Sequence, residues 1–282
     1  MTKAKETIKK HIPSFLRTIF FRIYIEFLYL FRYGKILRKN QELKDRYNGK
    51  RCFLIGNGSS LNEMDLKKLK NEYTFVFNFF YLHKDFHEIR PKFYSIFEPL
   101  PNLIGGGVNP DEFFRKAENA LKDMKYPEFK MFFSIKARDY LEKNKFFLDK
   151  EKYYLMADRS IPKTFLISDD ISRYHSFSDA SIYTAICMAV YMGFKEIYLI
   201  GCDYDLILRR DVKHFYDNAL MGGEVRRKNA SNLVLAEDLV DYLKAMETIR
   251  HHFKNRDVKI FNAGIGGFTD TFPRVEYESL FR

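Results

Sequence analysis

A chain of 282 residues with 46% hydrophobic content has room for one large α/β domain and an appendage. The formal net charge of +11 points to an anionic partner, but no aromatic RNA-binding strand or recognition-helix pattern accompanies it, which sets nucleic acid aside. Cys52, Cys187 and Cys202 all lie in apolar segments without CxxC spacing, so they read as buried hydrophobes and exclude a disulfide framework or a zinc site.

In chain order, residues 1–45 differ from the remainder of the chain. Lys3, Lys5, Lys9 and Lys10 precede a segment from Phe15 to Phe31 in which Leu16, Ile19, Phe20, Ile23, Tyr24, Phe27, Leu30 and Phe31 recur at helical spacing. Arg17, Arg22 and Glu26 interrupt it, which argues against a spanning helix. No small-residue cleavage site marks a signal peptide. With Arg32, Lys35, Arg38 and Lys39 behind it, the segment reads as a basic amphipathic helix on the anionic inner leaflet of the membrane. The alternative is a helix packed on the domain's own core or on another subunit.

From residue 46 to 282 an alternation of strands and helices predicts a Rossmann-like, doubly wound, mostly parallel sheet. Strands are expected at Cys52–Ile55, Thr74–Asn78, Phe93–Phe97, Lys130–Ser134, Ile197–Cys202 and Val258–Asn262, with another near Thr164–Ile167. Helices are expected over Asn62–Asn71, Asp111–Lys122, from about Phe177 to Met192, and over Leu233–Phe253. The glycine-rich run from Pro101 to Pro110 reads as a loop, and Tyr140–Lys163, poorly periodic, as an insertion. The polar and aromatic stretch 205–232 is long for a connection and reads as a lid.

In such a sheet ligands bind at the carboxyl ends of the strands. There the sequence offers Gly56-Asn57-Gly58-Ser59-Ser60, Asn78, Glu98, Ser181, Asp203-Tyr204-Asp205 and Asn262. The strand–GNGSS–helix turn lacks the third glycine of a dinucleotide fingerprint and the lysine of a P-loop. Its glycines would let a ligand approach the backbone, and Ser59 or Ser60 would cap a helix whose N-terminus suits a phosphate. Amides and hydroxyls outnumber charges in this set, which suits a ribose, base edge or sugar better than a metal cage. Asp203 and Asp205 nonetheless imitate a DxD pair that could hold a divalent ion. His214, two residues before Tyr216, supplies a base near neutral pH beside a hydroxyl. No GxSxG elbow supports serine nucleophile chemistry.

Gly56-Asn-Gly-Ser-Ser-Leu61, Phe77-Asn78, Ser181 and Gly193-Phe-Lys-Glu-Ile-Tyr-Leu-Ile-Gly-Cys-Asp-Tyr204 together resemble the bacterial CMP-sialic acid-dependent sialyltransferases of lipooligosaccharide synthesis. They are similar, too, to the related 6-hydroxymethylpterin diphosphokinase-like family, which includes motility-associated flagellin glycosyltransferases. The resemblance covers about residues 50–270. It implies a glycosyltransferase domain with a lid, a CMP-activated nucleotide-sugar donor, a glycan or glycolipid acceptor, and inverting transfer with a histidine base and no metal cofactor. Carried over by position, Asn57, Gly58 and Ser60 would meet the donor's phosphate and ribose, Asn78 the nucleotide or sugar, Ser181 the sugar's carboxylate, and His214 the acceptor hydroxyl. The chain departs from the pattern at Glu98, where the sialyltransferases have Asn, and at Asp205, where a tyrosine is expected. Stabilisation of the leaving phosphate then falls to Tyr204 or Tyr216, or to Arg209 or Arg210. The alternative that the resemblance implies is an ATP-dependent pterin diphosphokinase, with Mg²⁺ held by Asp203 and Asp205.

Overall fold

The computed structural model describes residues 13–97, 109–158, 169–176, 181–205, 214–216 and 231–282. Their strands form one sheet of β1 (Arg51–Ile55), β2 (Tyr73–Phe77), β3 (Phe93–Ile96), β4 (Lys130–Ser134), β5 (Lys152–Asp158), β6 (Tyr174–Ser176), β7 (Glu196–Ile200) and β8 (Lys259–Asn262). The order across the sheet is β6-β5-β4-β3-β2-β1-β7-β8, and every pairing is parallel. The chain therefore builds outward from β1 through β6, then returns to lay β7 on the other side of β1. That reversal is the topological switch point of a doubly wound sheet.

The strands are short apolar runs because both of their faces are covered. Phe53, Ile55, Val76, Tyr94, Met131, Phe133, Tyr198 and Ile200 point into one core, and Cys52, Leu54, Phe75, Phe93, Phe132, Tyr153, Ile197 and Leu199 into the other, in strict alternation. The second core is closed by α6 (Ser181–Tyr191) and α7 (Asn232–Phe253) through Ala185, Ile186, Met188, Tyr242, Met246 and Ile249. The first is closed by α4 (Pro110–Leu121) through Phe113, Phe114 and Ala117. Local chemistry agrees with these helices. The Asn109 side chain accepts from Asp111 N–H at the start of α4, which has Pro110 in its first turn, and the Ser231 hydroxyl accepts from Val234 N–H at the start of α7.

The N-terminal run comprises α1 (Ser14–Leu28), a π-turn (Tyr29–Tyr33), α2 (Gly34–Leu37) and a 3₁₀ turn (Arg38–Leu43). Here the expected boundary at residue 45 is corrected. Ile25, Tyr29, Leu37 and Leu43 are buried in the cores of the sheet. The buried Asn40 amide donates to the carbonyls of Tyr154 (2.8 Å) and Ile171 (2.6 Å), and Asp45 N–H donates to Tyr191 O. One side of α1 and of the π-turn after it remains an apolar surface. Ile19, Phe20, Ile23, Tyr24, Phe27, Leu30 and Phe31 are 47–75% exposed, on the side opposite Ile25 and Tyr29. Among the described residues, no helix is long and apolar enough to cross a membrane.

Two further expectations are corrected. Between β1 and β2 there are only 3₁₀ turns, Ser59–Glu63 and Leu66–Leu69, and no side chain caps the first of them. The described part of the stretch 140–163 is not an insertion, because it holds the end of α5 (Arg138–Lys143) and all of β5. Lys145, Asp149, Lys150, Glu151 and Lys152 obscured that strand in the sequence, although Tyr153, Tyr154 and Leu155 are buried. A short helix, α3 (Phe86–Ile89), precedes β3. The strand near residues 164–167, the loop of 101–108, Glu98, Arg209, Arg210 and most of the lid lie outside the described residues.

Candidate functional site

At the switch point the turns that leave β1 and β7 lock together. Gly56 N–H donates to Ile200 O and Gly58 N–H to Gly201 O, both at 2.8 Å. Asp203, buried past the end of β7, accepts Ser60 N–H at 3.0 Å on one carboxylate oxygen and the Ser60 hydroxyl on the other. The two glycines are required by this contact. A Cβ on Gly56 would stand 2.2 Å from Gly201 O, and one on Gly58 would stand 2.3 Å from Asp203 Oδ2. Neither has the positive φ of a left-handed turn. The N–H groups of Gly56, Gly58 and Ser60 are thus each bonded within the protein. Asp203 is correspondingly ill placed as half of a DxD metal pair, because its two oxygens hold Ser60. Among the described residues no group of three His, Cys, Asp or Glu side chains could hold a metal ion.

The residue the turn leaves available is Asn57. Its Nδ2 faces Phe77 O at 3.4 Å, while its buried Oδ1 has no partner among the described residues. A buried amide oxygen without a donor costs about 1–3 kcal/mol, and a ligand hydroxyl or amine would relieve it. Asn78, at the end of β2, is held in the left-handed region (φ 49°). Its Oδ1 accepts Phe97 N–H at 3.2 Å and its backbone carbonyl accepts the Tyr94 hydroxyl, which leaves Nδ2 as the group it can offer.

Residues 214–216 cross this turn. Gly58 and His214 form an isolated antiparallel bridge, and Phe215 N–H donates to Asn57 O at 3.3 Å. Phe215 is the anchor, with its ring centroid 4.9 Å from His83 and 5.5 Å from Phe80. In an extended segment residues i and i+2 share a face. Accordingly the rings of His214 and Tyr216 are stacked at 4.9 Å with planes 2° apart, and Tyr216 also meets Phe79 at 5.4 Å. Both are half-buried. His83 is buried beneath them, its Nδ1 accepts Asp85 N–H, and burial holds its pKa below the usual histidine value. It stays neutral and serves as packing.

The structure thus brings Gly56, Asn57, Gly58, Ser60, Asp203, His214 and Tyr216 together past the carboxyl ends of β1 and β7. Ser59 lies in the same 3₁₀ turn, half-buried. Tyr204 has φ 47° and stacks on Tyr242 of α7, with centroids 3.6 Å apart, and Asp205 follows it half-exposed. Ser181 is the first residue of α6. Sequence reasoning missed Phe80, His83 and Phe215, whose apolar packing carries no motif. It also missed Arg274, whose guanidinium donates to the carbonyls of Gly264, Gly266, Gly267 and Thr269. The loop so tied returns to the site, where Phe268 N–H donates to Asp203 O at 2.7 Å. Cys202, between the two turns, has its thiol pushed up to about 12 by burial and by the adjacent Asp203 charge, and is no nucleophile.

The chain is similar to solved glycosyltransferases. The MAf glycosyltransferase of Magnetospirillum magneticum AMB-1 aligns over 88% of this chain with 15% identity and a TM-score of 0.43, and this chain spans 39% of it. The sialyltransferase CstII of Campylobacter jejuni, solved with cytidine-5'-monophosphate, aligns over 80% of this chain and 87% of its own length with 16% identity and a TM-score of 0.42. A structure of CST-II with a trisaccharide acceptor and CMP aligns over 76% of this chain and 80% of its own, at 17% identity and a TM-score of 0.40. No family model matches the sequence, and no curated protein does.

Proposed function

We propose that this chain is a glycosyltransferase that moves a sugar from a nucleotide donor, a CMP-linked acidic sugar by preference, to a glycan or glycolipid acceptor with inversion. The observation that carries the reading is the bridge between Gly58 and His214, which sets an imidazole beside the switch-point turn where an α/β sheet takes its ligand. The orphaned Asn57 Oδ1 suits a hydroxyl or exocyclic amine of the nucleotide, and Asn78 Nδ2 a second contact.

His214 takes the proton of the acceptor hydroxyl as that oxygen bonds to the anomeric carbon. The bond from the anomeric carbon to the phosphate oxygen breaks, and its electron pair leaves with the nucleotide phosphate. Tyr216 lies flat against the imidazole, which fixes the ring plane, and its hydroxyl or that of Tyr204 donates to the leaving phosphate. A base and a phosphate donor suffice for this displacement, and no step passes through Asp203.

The exposed apolar side of α1 supports work at a membrane surface. It is followed by Arg32, Lys35, Arg38 and Lys39, which match an anionic leaflet in charge. On this reading the enzyme works in the cytoplasm, peripheral on the inner membrane, within reach of lipid-anchored acceptors.

The test is thermal stabilisation by CMP, UDP and ATP, with and without EDTA, followed by transfer assays on His214→Ala. CMP should stabilise the protein without metal, and the variant should lose transfer while keeping CMP affinity. Stabilisation only by ATP with Mg²⁺ would reject the reading.

A further inference from the structure

Away from the switch point, a cleft of about 420 Å³ opens where the 34–43 segment passes over β5 and the start of α5. Lys35, Lys39, Arg138 and Lys152 line it with Ile36, Tyr153 and Tyr154, and among the described residues no carboxylate does. Acidic side chains near it are otherwise engaged. Arg138 is engaged by Glu142 at 2.8 Å and Asp139 at 3.7 Å, the Lys152 ammonium donates to Phe147 O, and Glu151 is held by Lys130 at 2.6 Å, with Lys39 more distant at 3.8 Å. Lys39 lies over the Tyr153 ring at 4.4 Å and donates to Lys152 O, so its position is fixed by the fold. Lys35 has no ion pair among the described residues.

Lys35 and Lys39 are left to meet a phosphate, whose oxygens accept their hydrogen bonds, and Arg138 and Lys152 add positive charge to the lining. Only Arg32, Tyr33 and Gly34 separate Lys35 from Phe31, the last exposed apolar side chain of the N-terminal run. We propose that this cleft binds the headgroup phosphate of an anionic lipid whose acyl region receives the apolar side of α1, an inference that rests on the membrane role proposed for that helix. It would seat the enzyme on the bilayer in one orientation, which a diffuse basic surface would not do.

The full chain is assayed for thermal stabilisation by dihexanoyl phosphatidic acid below its micelle concentration and by inorganic phosphate. It is then assayed for sedimentation with phosphatidylcholine vesicles with and without phosphatidic acid. Lys35→Gln/Lys39→Gln should abolish stabilisation by the soluble lipid and lower vesicle affinity about thirtyfold. Lys116→Gln/Lys195→Gln, which removes the same charge from α4 and the approach to β7, should lower it less than about threefold. Soluble-lipid stabilisation lost in the cleft variant but without vesicle binding would reject the membrane reading and keep the cleft. Equal stabilisation by inorganic phosphate would reject the lipid as its occupant. Equal losses in the two double variants, or no stabilisation by either probe, would overturn the site.

Discussion

Replacing Gly56 by alanine separates two accounts of the GNGSS turn. If the glycines exist to let a ligand near the backbone, the variant should be as stable as the native protein and lose only nucleotide affinity. The structure gives a different expectation. The new Cβ would lie 2.2 Å from Gly201 O, 2.9 Å from Gly201 C and 3.2 Å from Cys202 Sγ. The first distance is more than 1 Å inside ordinary contact, which is about 3.5 Å. The obstacle is backbone, so no rotamer relieves it, and the turns of β1 and β7 must move apart. Overpacking of this kind costs about 1–3 kcal/mol, here at the upper end, and about 2–4 °C of Tm per kcal/mol. Gly58→Ala should cost somewhat less, because its closest obstacle, 2.3 Å away, is the Asp203 carboxylate, although Gly201 O also stands at 2.8 Å. Gly266→Ala is the control, since its Cβ would meet only Ser60 Cβ at 3.8 Å. Denaturant unfolding of the three variants, with CMP titration of each, should rank them Gly56, Gly58, Gly266 in decreasing loss of stability. A Gly56→Ala protein with native stability and abolished CMP binding would refute the packing argument.

Asn57→Ala should weaken donor binding by about 1–3 kcal/mol in a CMP titration, the cost of an unpaired buried partner, and unchanged affinity would leave Asn57 as turn scaffolding. Removal of residues 1–24 should weaken vesicle binding and leave a folded protein. Removal of 1–45 should unfold it, because Asn40, Leu37 and Leu43 go with it; circular dichroism distinguishes the two. Burial raises Tyr47 and Tyr154 from 10.0 to about 12, so the folded state keeps protons that the unfolded state releases. Stability from these groups is therefore full below pH 10 and falls as pH rises from 10 to 12. Tyr47 and Tyr154 should therefore ionise only with unfolding, read as the difference in tyrosinate absorbance between the native protein and Tyr47→Phe or Tyr154→Phe, and a difference that grows from about pH 10 in the folded protein would contradict it.

Much of the sheet is legible in the sequence because its strands are continuous apolar runs bounded by polar turns. Cys52–Ile55, Lys130–Ser134 and the helix over Leu233–Phe253 are found within a residue or so. β5 was hidden, because Lys150, Glu151 and Lys152 break the apolar signal although Tyr153, Tyr154 and Leu155 beside them are buried. The helix expected over Asn62–Asn71 fails for a related reason: Leu61, Leu66 and Leu69 are all fully buried, but by two separate 3₁₀ turns. Spacing records which residues go inside and does not fix which helical turn takes them there.

The same limit governs the site. The sequence by itself determined that Asn57, Ser60, Asp203 and His214 follow strand ends or lie in a polar stretch, since those properties are local and periodic. Only the tertiary structure decided that Asp203 holds Ser60, that Gly56 and Gly58 admit the neighbouring turn, and that Phe215 pins His214 over Gly58. These are contacts between residues some 140 to 160 positions apart, made when β7 returns to the far side of β1. No pattern along a chain encodes such a return, because the free energy that selects it comes from burying both faces of one shared sheet.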